Sequence, residues 1–84
     1  MKYRVLYREN AVRRLRRLDA VARVRVTTAI DRLANNPRPT GCVKLQGRPG
    51  YRIRVGAYRV VYDIHDQVVT VEIITVGRRK DIYR

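Results

Sequence analysis

One cysteine and one histidine stand among 84 residues, and the acidic side chains number only seven. A lone Cys42 cannot close an internal disulfide, which excludes a stapled secreted framework. One His, one Cys and scattered carboxylates cannot assemble a zinc site, so neither metal nor cofactor is expected. No Gly-rich phosphate loop and no nucleophile elbow is present. Long apolar runs are missing too, so nothing is built to span a membrane, and the opening MKYRVLYREN has arginines where a signal peptide needs its apolar stretch. A soluble, cytoplasmic protein is the expectation. Repeats, low-complexity segments and linkers are also wanting, which points to one small domain over 1–84, near the lower limit for a core that holds without staples.

What the chain has in excess is positive charge. Lys and Arg total 20 against 7 Asp and Glu, a formal charge of +13. Such a field attracts polyanions, either nucleic acid or an acidic protein partner. A membrane surface fits less well, because the basic residues are spread over predicted strands and helices alike.

Lys2 to Arg8 alternates Tyr3, Val5 and Tyr7 with basic neighbours and Leu6, the pattern of a first strand. A short helix follows from Glu9 or Asn10, with Asn10 offering its side-chain oxygen as a cap and Ala11, Val12, Leu15 and Leu18 on one face. Asp19 caps a second helix in which Ala22, Val26, Ala29, Ile30 and Leu33 recur at helical spacing. Asn35-Asn36-Pro37 ends it, since proline pushes its predecessor out of the helical region. The helix arginines, Arg13, Arg14, Arg16, Arg17, Arg23 and Arg25, read as a solvated face. Arg38 to Gly50 is a loop with a short edge strand at Val43-Lys44-Leu45. The order predicts an α+β, two-layer β-α-α-β-β-β(-β) domain, with a helical hairpin on one face of a mainly antiparallel sheet.

Tyr51 to Tyr62, YRIRVGAYRVVY, is the most informative stretch. A two-residue turn at Gly56-Ala57 sets Val55 opposite Tyr58, Arg54 opposite Arg59 and Arg52 opposite Val61. The aromatic and branched residues apart from Val61 then share one face and the three arginines the other. Like charges directly opposite each other cost stability in a sheet, which suggests a surface kept for an anionic partner. A second turn at Asp66-Gln67 places Tyr62 against Val71 and Val60 against Ile73, and Gly77 breaks the last strand. His65, beside Asp66, reads as a surface turn residue.

Guanidinium groups hold phosphate oxygens through paired hydrogen bonds and keep their charge at any cellular pH. Arg52, Arg54 and Arg59, with Arg78, Arg79, Lys80 and Tyr83 in the tail, suit either a passive RNA-binding patch or a metal-free ribonuclease.

The series KLQG…YRIRVGAYRVVYDI…VEIITVGRRKDIYR resembles the RelE side of the RelE/ParE toxins of bacterial and archaeal toxin–antitoxin modules, over nearly the whole chain. The resemblance implies a RelE-like fold with the first strand beside the last. It implies an endoribonuclease that cleaves mRNA in the ribosomal A site, against 16S rRNA, by attack of a 2′-hydroxyl on the adjacent phosphate. It also implies a cognate acidic, RelB-like antitoxin that forms a hetero-oligomer with the toxin and blocks or distorts the site.

Carried over by position, Arg52 and Arg54 occupy the basic sites of the central strand, and Arg59 the phosphate-stabilising site. Arg79 matches the tail arginine at the leaving oxygen, and Tyr83 the tyrosine that orients the message. Lys44, Arg48, Arg78 and Lys80 are expected to bind RNA. Gln46 stands where some relatives have a basic residue, and Arg78 where many have histidine. Arginine is a poor base, so the proton acceptor is Tyr83, Lys80 or a group from the ribosome or message. The competing functions are a non-enzymatic, ParE-like DNA gyrase inhibitor and an inactive RNA- or ribosome-binding relative.

Overall fold

The structure, a computed structural model, describes residues 2–78. Two helices pack on a five-stranded, mainly antiparallel sheet. In chain order the elements are β1 (Arg4–Tyr7), α1 (Glu9–Arg17), α2 (Ala20–Leu33), β2 (Val43–Lys44), β3 (Tyr51–Val55), β4 (Tyr58–His65) and β5 (Thr70–Arg78), with a 3₁₀ turn at Asp66–Val68 between the last two. The sheet order is β1-β5-β4-β3-β2. The first strand lies beside the last, as the resemblance implied, and theirs is the parallel pairing. Among the described residues no helix is long and apolar enough to cross a membrane.

The core forms where the helical stripes meet the apolar side of the alternating strands. Ala11 and Leu15 of α1 and Val26, Ile30 and Leu33 of α2 are buried against Ile53, Val60, Tyr62, Val71, Ile73 and Val76. Tyr62 is fully buried, and its hydroxyl donates to the Pro37 carbonyl at 2.7 Å, so a polar tip deep in the core is satisfied. Burial holds that phenol well above its usual pKa.

Capping follows one prediction and departs from another. The Asp19 side chain accepts from the Ala22 N–H at 2.9 Å, as expected for the α2 cap. Asn10 does not cap α1: it sits inside the first turn, and its Oδ1 accepts from the Thr75 hydroxyl at 2.6 Å. Arg8 occupies the cap position without a side-chain hydrogen bond. Arg23 is not simply solvated either. Its guanidinium donates to the carbonyls of Leu15, Arg16 and Leu18, closing the otherwise unpaired C-terminal end of α1.

The first hairpin has the predicted register, with Val55 opposite Tyr58, Arg54 opposite Arg59 and Arg52 opposite Val61. The second does not. The 3₁₀ turn with left-handed Val69 makes a four-residue connection between His65 and Thr70, where a two-residue turn was expected. Tyr62 therefore pairs with Ile73, and a bulge then sets Val60 opposite Val76. Gly77 does not end the strand, because β4 continues to Tyr58 and carries β5 to Arg78.

That bulge matters for the open face. A bulge adds one residue to one strand and reverses which side chains point outward beyond it. Past Ile74 it keeps Val76 in the core and brings Gly77, not a side-chain-bearing residue, beside Arg59.

Candidate nucleic-acid interface

Alternation along β3 and β4 turns Arg52, Arg54 and Arg59 to the face away from the helices. The loop leading into β3 forms a wall beside them. Together they make a cleft of about 450 Å³ lined by Val43, Lys44, Leu45, Gln46, Arg52, Arg54 and Arg59. No carboxylate among the described residues lines it.

Arg59 is the most constrained of the three. It is only 4% exposed, and its buried Nε–H meets no acceptor among the described residues. Gly77 stands opposite it on β5 and Arg54 opposite it on β3. A buried cation with an unmatched donor, opposite a second cation, is stabilised by whatever anion enters the cleft. Arg54 is exposed and Arg52 half-buried.

On the same face Glu72 is paired away from these arginines. Asp63 and Glu72 are cross-strand neighbours one step beyond Val61. Glu72 binds Arg8 at 2.7 Å and His65 at 3.0 Å, and Arg8 above all holds its carboxyl below the usual range.

A second network braces the wall from behind. Arg38 binds Asp66 at 2.9 Å, and Tyr3 donates to the same carboxylate at 2.7 Å. Arg38 lowers the Asp66 pKa, with the Tyr3 hydrogen bond second, while Asp66 raises that of Arg38. The Arg38 guanidinium also lies 5.5 Å from the Tyr51 ring centroid, and the Lys44 ammonium 5.3 Å from it. Tyr51 in turn stacks on Tyr62.

The expected site residues therefore divide. Arg52, Arg54 and Arg59 come together, and Lys44 lines the same cleft while its ammonium rests over Tyr51. Arg48 is in the exposed loop and is not part of the lining. Arg78 pairs with Tyr58 and lies 5.8 Å from its ring, on the face opposite Arg59. Arg79, Lys80 and Tyr83 lie outside the described residues. Gln46, noted in the sequence only as a departure from a basic position, also lines the cleft, two residues after the Val43–Lys44 strand.

A family model described as the ParE toxin of type II toxin-antitoxin systems, parDE, matches residues 5–83. The chain belongs to this toxin family. Within it the similar proteins carry RelE names. A RelE-like toxin protein of Escherichia coli is 28% identical over 88 residues, covering 99% of this chain and 92% of the relative. The RelE of an archaeal RelE–RelB complex from Pyrococcus horikoshii superposes with a TM-score of 0.82 at 29% identity, covering 94% of this chain and 97% of that one. In the intact E. coli RelBE toxin–antitoxin complex the match has a TM-score of 0.80 at 30% identity, covering 90% and 95%. This chain is a RelE-type toxin, and the ParE-like alternative is not favoured.

Proposed function

We propose that this toxin is a ribosome-dependent endoribonuclease. The observation that carries the reading is the cleft where buried Arg59 meets Arg54 and Arg52, with no carboxylate among the described lining residues. A phosphodiester seated there is drawn to the converging guanidinium charge and meets the buried Arg59 donor. As the 2′-hydroxyl attacks the adjacent phosphate, the pentacoordinate transition state gains negative charge that prepositioned guanidiniums stabilise. Arg59, held by burial, is the fixed donor; Arg52 and Arg54 grip the backbone and align attacking and leaving oxygens. In this scheme Arg79 meets the leaving oxygen and Tyr83 orients the message.

The described residues of the cleft offer charge but no group suited to accept a proton near neutrality. The acceptor is therefore sought in Tyr83, Lys80, the ribosome or the message. Dependence on the ribosomal A site follows from the RelE resemblance. So does a cognate antitoxin: the P. horikoshii and E. coli relatives are complexes with RelB, and a charge of +13 suits an acidic chain that folds as it binds.

Expression of this chain without an antitoxin is expected to stop translation, with primer extension revealing cuts within codons of translated messages. Growth arrest with intact messages would sink the proposal, and a DNA-damage response alongside would point instead to gyrase.

A further inference from the structure

Among the described residues lining the arginine cleft, every polar one except Gln46 is a cation. Arg52, Arg54 and Arg59 suit phosphate, which positions a nucleic acid but carries no sequence information, while the Lys44 ammonium is turned over Tyr51. Gln46 is the exception. Its amide both donates and accepts, the combination needed to read a base edge, and glutamine matches the adenine N6 donor and N7 acceptor with two hydrogen bonds.

The backbone around Gln46 is held. The Leu45 N–H donates to the Gly50 carbonyl at 3.0 Å, closing the segment between them into a loop. Gly50, with φ of +115°, is buried, and a Cβ there would stand 2.9 Å from the Tyr62 carbonyl oxygen. Glycine is thus required at the base of the loop by both conformation and space. Gly47, with φ of +74°, turns the chain immediately after Gln46. Half-buried Leu45 seats one side of the loop against Gly50, while exposed Gln46 lines the cleft. The amide therefore starts from a fixed backbone, beside apolar Val43 and Leu45 against which a base can lie.

We infer that Gln46 is the specificity-determining residue of the cleft, reading an adenine next to the phosphate held by the arginines. The inference rests on the RNA-binding reading of the same cleft. It gives the loop wall a role separate from the arginines: they hold any RNA backbone, and Gln46 chooses among bases.

The test uses the whole chain and short single-stranded RNAs with 2′-O-methyl groups, which bind without being cut. Probes differ only in having A, G, C or U at one position. Wild type is expected to favour the A probe on the order of ten-fold, the scale of one bidentate base contact. Gln46→Ala and Gln46→Leu should lose that preference while still binding all four probes. Arg59→Ala should weaken all four alike. No preference in wild type, or an A preference that survives in both Gln46 variants, would overturn the inference. Cleavage maps on translated messages separate the two readings. Loss of A enrichment at the cut in the Gln46 variants supports base reading, whereas no cutting by wild type defeats the ribonuclease proposal and leaves the probe binding to decide on Gln46.

Discussion

Burying a guanidinium with an unmatched N–H costs stability, and Arg59 does so opposite another arginine. We predict that Arg59→Met trades one property for the other. It should lose about 2–4 kcal/mol of transition-state stabilisation, the scale of one preorganised donor. It should also gain about 1 kcal/mol of folding stability, because a buried unsatisfied donor typically costs 1–3 kcal/mol. Cleavage rates and urea unfolding of one preparation check both, and a variant that is less stable would show that the buried charge is compensated. The pairing of Arg54 with Arg59 was legible in sequence, because Gly56-Ala57 between alternating strands fixes the register. The burial of Arg59 was not. Alternation assigns it to an open face and carries no measure of how deeply a side chain sinks into that face. Arg23 misled for a similar reason: a charged residue on a helix reads as solvated until a chain end is found beneath it.

Among the elements, the loop before β3 is the most sensitive. Gly50→Ala puts a Cβ against backbone at a φ that side chains rarely adopt, a strain of about 1–3 kcal/mol. Denaturation should show that loss, and because the loop forms the cleft wall, RNA binding should fall with it. Unchanged stability would mean that the loop is free to move. At the other face, Asp19→Ala should cost about 1 kcal/mol through the lost cap on α2, measurable in the same way. Element identities were readable from periodicity, which helix and strand impose locally. The turn after β4 and the bulge in β5 were not, since Asp66-Gln67 suits a tight turn as well as the longer 3₁₀ connection, and no residue type marks a bulge. That bulge decides whether a glycine or a larger residue stands beside Arg59, so a detail of the site lay in the part that periodicity does not encode.

At the scale of the molecule, charge governs both stability and binding. Asp66 ties Tyr3 and Arg38 together, and Glu72 ties Arg8 and His65. Both carboxyls are held below their usual pKa, chiefly by Arg38 and Arg8. Groups with depressed folded pKa values stabilise the fold above the unfolded value of roughly 4, and that contribution fades as pH falls through the lower folded value. Melting temperature should therefore drop steeply below about pH 4, and the double variant Asp66→Asn, Glu72→Gln should flatten that acid limb. A limb of unchanged steepness would remove these two groups from the acid response. With +13 net charge, added salt should weaken binding to RNA through counterion release. The most direct measurement is cleavage of one purified message by the purified toxin, with and without ribosomes positioned on it. The proposed mechanism predicts cuts at the A-site codon only when ribosomes are present, and their loss in Arg59→Ala. Equal cutting of bare RNA, or no cutting under either condition, would contradict it.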